Sequence, residues 1–311
     1  MSEAPFTQGS RPVGRTVTVR APAKVNLHLE VLRRRHDGYH EIETVLQAVA
    51  LFDTLRVTLH EQRRGGAPRL DLVVGGDSTV PADSTNLAWR AVRHFCRETG
   101  LSGRFSLHLD KEIPAAAGLG GGSADAAAAL LACDRLLETG LEPARLEKLG
   151  SALGSDVPFF IRGGTQLGRG RGPLLSPLPT VRTGQFLIAK PPFELSTSDV
   201  YGRLKMGLTV HSPAANIQVL KPILARFPQK TWPGYNRLEE VVLPEQPALQ
   251  RLVMSMQKLA PVAMLSGSGS AVVGVFPDGQ DLAAIRDEFE QAGLWVKIVR
   301  PHAAGVGFME G

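Results

Sequence analysis

Cysteine is scarce in this chain. Only Cys96 and Cys133 occur, both within helix-like stretches. Two isolated thiols make neither a disulfide framework nor a zinc site. No apolar run approaches the ~18 residues of a membrane span, and nothing at the start resembles a secretory core, so a cytoplasmic protein is expected. Long basic runs are missing too. The net charge is +5, but the arginines gather only in small groups at Arg33–Arg35, Arg63–Arg64 and Arg169–Arg171. Aromatic residues are 6% of the chain, and no basic strip is interleaved with them. Such a charge suits anionic ligands without singling out nucleic acid, and neither a nucleic-acid nor a membrane partner is expected.

What is present is ordinary for an enzyme: 311 residues, 43% hydrophobic and 21% charged. That length buries a substantial core and favours two domains. The stretch with most chemical content is Ile113–Ala129, IPAAAGLGGGSADAAAA. Four glycines, Gly118 and Gly120–Gly122, run into Ser123, a good N-cap, and then into alanines that favour helix. A glycine loop opening on a helix N-terminus presents N–H donors and a positive dipole end to phosphate. The alternative, a flexible turn that only caps a helix, is disfavoured because three consecutive glycines cost backbone entropy without adding packing. It is not a phosphate loop ending in Gly-Lys-Ser/Thr, and the dinucleotide pattern lacks its third glycine.

Taken in order, residues 1–14 read as a loose polar tail. Arg15–Arg20 and Lys24–Val31 alternate as two half-buried strands, with Lys24, Asn26 and His28 on an accessible face. His36–His40 is a turn at Asp37-Gly38, and Ile42–Leu51, Thr54–Leu59 and Leu70–Val74 are strands. Asp83–Asn86 caps a helix to Thr99, and Phe105–Leu109 leads into the glycine loop. The helix after Ser123 runs to Thr139, and another spans Pro143–Leu153. Pro158 fixes a turn at Asp156, which reads as a turn or cap residue as readily as a reactive one. A hairpin-like Gly163–Gly172 precedes a domain connection at Pro173–Pro179. Strands at Phe186–Lys190, Val262–Leu265, Ala271–Phe276 and Leu294–Arg300 and helices at Thr197–Leu204, Gln246–Lys258 and Asp281–Ala292 fill the second half. Met206–Pro233 gives no clear pattern. A second glycine-serine turn, Ser266–Ser270, suits close backbone approach to a ligand, and neither glycine segment matches G-x-S-x-G.

Three separated segments, APAKVN at Ala21–Asn26, PAAAGLGGGSADAA at Pro114–Ala127 and LSGSGSA at Leu265–Ala271, resemble the three motifs of the GHMP kinases. APAKVNLHLEV, DGYHEIETV, GSDVPFF and NRLEE at Asn236–Glu240 are similar to one branch of that superfamily, whose acceptor is a cytidylyl alcohol. The loop departs mildly, with Ala115–Ala117 where the family carries more glycine.

The resemblance implies an α+β, two-domain fold. An N-terminal α/β domain with a left-handed βαβ crossover would cover residues 15–175, and a ferredoxin-like α+β domain residues 176–305, with the site between them. It implies an ATP-dependent kinase acting on the 2-hydroxyl of a cytidylyl-linked methylerythritol in non-mevalonate isoprenoid synthesis. Lys24 and Asp156 would be catalytic. ATP would be held by Ala116, Ala117, Gly118, Leu119, Gly120, Gly121, Gly122, Ser123, Ala124, Asp125 and Ala126. The acceptor would meet Asn26, Tyr39, His40, Tyr201, Ser268 and Gly269. Mg²⁺ would accompany ATP, with Ser123 offering a hydroxyl, and no metal-binding carboxylate set stands out. The molecule would be a monomer or homodimer. Another GHMP-type small-molecule kinase and a non-catalytic RNA-binding module on the same crossover domain remain as alternatives.

Overall fold

A computed structural model describes residues 11–204 and 234–309. Most of the expected tail, residues 1–10, and the stretch Met206–Pro233 lie outside the described residues.

The fold is built on one long antiparallel hairpin, β1 (Arg11–Arg34) and β2 (His40–Arg64), of 24 and 25 residues. The sequence suggests four shorter strands there. The chain instead continues through register shifts at Pro12/Arg15, Pro22/Ala23, Asn26/His28 and Val31/Arg33. Bulges absorb an unpaired residue and re-aim the side chains that follow, which is how Pro22 survives inside a strand. Two different strands pair with β2. Residues Thr54–Arg64 pair with β4 (Leu101–Asp110), and Ile42–Gln47 pair with β5 (Thr165–Gly170).

β3 (Arg69–Gly75) runs parallel to β4, and α1 (Leu87–Thr99) connects them as a βαβ unit. Asn86 caps α1 by accepting from the Ala88 amide at 2.9 Å, and Gly100 ends it in the left-handed region. α2 (Gly121–Leu136) begins earlier than expected. Gly120, at φ +76°, is its N-cap, and Ser123 lies inside the first turn. Ala124 and Ala126–Ala129 of α2 are fully buried, so their small side chains let the helix lie close to the sheet and to α1. α2 stops at Leu136 rather than Thr139. α3 (Pro143–Ser151) is followed by α4 (Val157–Arg162), which has Asp156 at its N-cap and Pro158 in its first turn. Proline starts this helix rather than only fixing a turn, because its missing N–H falls where no intrahelical partner exists. The expected connection at Pro173–Pro179 is partly strand: β6 (Leu174–Pro177) pairs with β5.

The second sheet contains β7 (Gln185–Lys190), β9 (Val262–Leu265), β10 (Val272–Phe276) and β11 (Trp295–Val299). α5 (Thr197–Arg203), α6 (Glu239–Glu245), α7 (Pro247–Leu259) and α8 (Ala283–Gln291) accompany it. Its antiparallel order β11-β7-β10-β9 is that of a ferredoxin-like sheet. Short strands β8 (Tyr235–Asn236) and β12 (Gly307–Phe308) return to pair with β1. One apolar cluster joins Ala23, Val25 and Leu27 of β1 to Phe186, Ile188, Met264 and Val273 of the second sheet. The opposite face of β1 is covered as well. Lys24, Asn26 and His28 are 5%, 3% and 0% exposed, which overturns the accessible face read from alternation. No described helix is long and apolar enough to cross a membrane.

Candidate active site

Lys24 sits on β1 just past the bulge at Pro22/Ala23. Its Nζ donates to Asn26 Oδ1 at 2.7 Å and lies 3.7 Å from Asp156 Oδ2. Asn26 is fixed in turn: its Nδ2 donates to Thr44 Oγ1 at 2.8 Å, and Thr44 donates to the His28 carbonyl at 2.7 Å. Burial pulls the Lys24 ammonium below the ordinary lysine value, and the neighbouring Asp156 carboxylate opposes that pull. Asp156, at the start of α4, keeps 36% of its side chain open. The pair therefore joins a desolvated cation to a carboxylate that a ligand can reach.

The glycine loop is anchored on both sides. The Lys24 amide donates to the Leu119 carbonyl at 2.9 Å. Ser266 Oγ donates to the Gly118 carbonyl at 2.9 Å, and the Ala271 amide to the Ala117 carbonyl at 3.1 Å. Gly118 is obligatory in this packing, because a Cβ there would stand 1.9 Å from the Ser266 carbonyl oxygen at φ +76°. Ala116, by contrast, adopts φ +46° with a methyl, at roughly 1–2 kcal/mol relative to glycine. Asn236 holds the Ser266–Ser270 turn from below. Its Nδ2 donates to the carbonyls of Leu265 and Gly267 at 2.9 and 2.7 Å.

Beneath the start of α2 lies a buried charge cluster. Lys111 Nζ donates to Asp53 Oδ2 at 2.5 Å and to Asp125 Oδ2 at 2.7 Å. The other Asp53 oxygen accepts from the amides of Glu112 and Ile113 at 2.7 and 2.9 Å. Burial alone would lower Lys111, but the two carboxylates outweigh it and hold the ammonium above the usual lysine value.

All of this opens into one cleft of about 1050 Å³. Its far wall carries Tyr39 from the β1–β2 turn, His40 from the start of β2 and Tyr201 from α5. The His40 and Tyr201 rings lie 5.3 Å apart, centroid to centroid. Burial raises the Tyr201 hydroxyl above the usual phenol value, and the charge of Asp156 adds to that, so the two groups are electrostatic neighbours.

Comparison with known proteins agrees with this geometry. The GHMP kinases N terminal domain model matches residues 86–164, and the GHMP kinases C terminal model matches residues 221–293. A 4-diphosphocytidyl-2-C-methyl-D-erythritol kinase of Salinispora tropica is 38% identical over 299 residues, covering 93% of either chain. One of Heliobacterium modesticaldum is 38% identical over 271 residues, covering 82% of this chain and 84% of its own. The crystal structure of a 4-(cytidine 5'-diphospho)-2C-methyl-D-erythritol kinase matches with a TM-score of 0.72 at 33% identity, covering 91% of this chain and 99% of its own. The chain belongs to the GHMP kinase family, in its 4-diphosphocytidyl-2-C-methyl-D-erythritol kinase branch. A homoserine kinase from Cytophaga hutchinsonii, with a TM-score of 0.73 at 19% identity and covering 99% of this chain and 100% of its own, shares the fold.

As a GHMP kinase the protein uses ATP. Of the residues expected in its site, Lys24, Asn26, Tyr39, His40, Ala116, Ala117, Gly118, Gly120, Gly121, Gly122, Ser123, Asp125, Asp156, Tyr201 and Ser268 line the one cleft. Leu119, Ala124 and Ala126 do not, being fully buried in the core, and the Ala124 amide is spent on the Gly120 carbonyl. Asp125 turns inward to Lys111. Gly269 faces Leu195 and Leu265, and Gly267 takes its place on the wall. Sequence reasoning missed Lys111, Arg34, Arg171 and the Val80–Leu87 segment, which also line the cleft. Each looks like a solvated charge or a loop residue until the chain is folded.

Among the described residues, no group of three or more His, Cys, Asp or Glu side chains could hold a metal. Mg²⁺ takes most of its oxygens from phosphates and water, and Ser123 is a cleft residue whose hydroxyl could reach such an ion.

Proposed function

We infer that this kinase moves the γ-phosphoryl group of ATP to the 2-hydroxyl of 4-diphosphocytidyl-2-C-methyl-D-erythritol, giving ADP and the 2-phosphate, with residues 15–175 and 176–305 as its two domains. The observation that carries the reading is the Lys24–Asp156 pair at 3.7 Å, in one cleft with an amide-rich glycine loop and the Tyr39, His40 and Tyr201 rings. Phosphoryl transfer needs alignment and charge neutralisation more than covalent chemistry. Asp156 accepts or orients the proton of the attacking hydroxyl, and Lys24 neutralises charge on the transferring group. Asn26 positions Lys24 and the acceptor together. The amides of the Ala116–Ser123 loop and the α2 N-terminus hold the nucleotide phosphates. Tyr39 and Tyr201 stack on cytosine, while His40 reads its polar edge. Ser123 would hold Mg²⁺, which supplies charge neutralisation when bound. Two buried, unpaired thiols, Cys96 and Cys133, suit a reducing cytoplasm.

Mass spectrometry of the product formed from ATP and the cytidylyl alcohol tests the reaction. A monophosphorylated product is expected. Turnover of mevalonate, homoserine or galactose but not the cytidylyl alcohol would move the protein to another branch of its family.

A further inference from the structure

Five cationic or titratable nitrogen side chains line the cleft: Lys24, Arg34, His40, Lys111 and Arg171. Lys24 is committed to Asn26 and Asp156, and Lys111 to Asp53 and Asp125. His40 is pushed below the usual imidazole value by burial and by the charge of Arg34, so it contributes little positive charge at neutral pH. Among the described residues, Arg34 and Arg171 have no carboxylate within 4.0 Å. Arg171 still lies close enough to Asp37 for its charge to help lower that carboxyl, but without an ion pair, so the positive charge least tied to a carboxylate lies at the tyrosine end of the cleft.

Arg171 is built into that place. It sits in the turn between β5 and β6, flanked by Gly170 at φ +73° and Gly172 at φ +116°. A Cβ at Gly172 would stand 3.6 Å from Ser155 Cβ, so the turn is packed against the residue preceding Asp156. Its guanidinium lies 3.3 Å from the Tyr39 ring centroid. The β5–β6 turn thus packs beside the loop that carries the carboxylate, and its Arg171 side chain reaches the turn that carries the ring. An aromatic face steers a guanidinium without consuming its N–H donors, because the attraction is to the π-system and the donors stay free in the ring-parallel plane.

We propose that Arg171, assisted by Arg34, binds the anionic diphosphate bridge of the acceptor and is the side chain through which this bridge contributes to acceptor affinity. The idea rests on the cytidylyl reading above. It adds the group that distinguishes a base joined through two phosphates from a base alone. Guanidinium is suited to this task because its planar fork pairs with two phosphate oxygens at once.

The test uses the full-length enzyme and two ligands that share the base, CDP and cytidine, as competitive inhibitors against the acceptor. Arg171 is exposed on a turn, so Arg171→Gln and Arg171→Lys are expected to fold as the parent does. Loss of charge-assisted hydrogen bonds should raise the acceptor KM and the CDP inhibition constant by about 10- to 100-fold in Arg171→Gln. The cytidine inhibition constant, the ATP KM and kcat should stay within about 2-fold, and Arg171→Lys should recover part of the CDP affinity without restoring it. Equal weakening of CDP and cytidine would overturn the proposal, because Arg171 would then act only through the Tyr39 ring. Unchanged CDP inhibition would overturn it as well, leaving Arg171 a solvated charge. If parent enzyme is inhibited by neither CDP nor cytidine while phosphorylating another alcohol, the cytidylyl reading itself fails, a result distinct from either of these.

Discussion

Replacing Asp156 by Asn tests the catalytic assignment, because the structure separates two effects that differ in size. Two unit charges 3.7 Å apart, the Lys24–Asp156 distance, attract by roughly 4 kcal/mol at an effective dielectric near 20. Asp156 is 36% exposed, so solvent screening reduces the net value to about 1 kcal/mol. Loss of electrostatic positioning alone would therefore slow turnover by about 10-fold or less. Loss of a proton acceptor costs about 10²- to 10⁴-fold. Asp156→Asn should lower kcat by that larger factor and leave both KM values within about 3-fold. The pH profile gives a second, independent readout. Burial lowers the Lys24 ammonium, and Asp156 opposes this, so removing the carboxylate lets Lys24 fall further. On the proposed mechanism the active form carries that proton, so activity should be lost as pH rises through the Lys24 value. The alkaline limb of residual kcat should therefore move to lower pH in Asp156→Asn. Coupled ADP-release assays at saturating substrates, run from about pH 7 to about pH 10, measure both quantities. A fall of less than about 10-fold, with the alkaline limb unmoved, would refute the base assignment and the coupling together.

Tyr39→Ala should weaken binding of the cytidylyl acceptor by about 10- to 100-fold, the loss of one base stack, with the ATP KM unchanged. Equal acceptor affinity in isothermal titration would remove Tyr39 from the base pocket. In Gly118→Ala the new methyl would overlap the Ser266 carbonyl oxygen in a left-handed backbone, so the loop must shift. The ATP KM should rise at least about 10-fold and stability fall by about 1–3 kcal/mol, and an unaltered ATP KM would mean that this loop does not hold the nucleotide. Lys111→Met would leave Asp53 and Asp125 facing each other in the core, costing about 3–5 kcal/mol in urea unfolding, and an unmoved midpoint would contradict their burial.

Much of this molecule could be read from local chemistry. α1 was bounded correctly because Asn86 and Gly100 are residues whose side chain or lack of one satisfies a helix end by itself. β7, β9 and β10 were legible as short apolar runs between turn residues. Lys24, Asp156, Tyr39 and His40 were named from motif order before any contact was visible, since the motifs fix residue types at fixed positions. The continuity of β1 and β2 was not legible, because a bulge has no composition of its own and depends on which strand lies opposite. Gly269 was misjudged because one residue's shift in a tight turn exchanges the face it presents.

The sequence by itself determined the local devices: a glycine loop that ends in a helix, a lysine two residues before an asparagine, and an aspartate beside a helix-starting proline. Only the tertiary structure decided what those devices mean together. Packing the glycine loop, Phe160 of α4 and the Gly267 turn around β1 turns Lys24 from an apparently solvated strand residue into a desolvated cation. The fold also gathers Arg34, Lys111 and Arg171 from distant positions onto one cleft. Burial and charge proximity depend on which surfaces exclude water from one another, and that is a property of the packed chain rather than of any stretch within it.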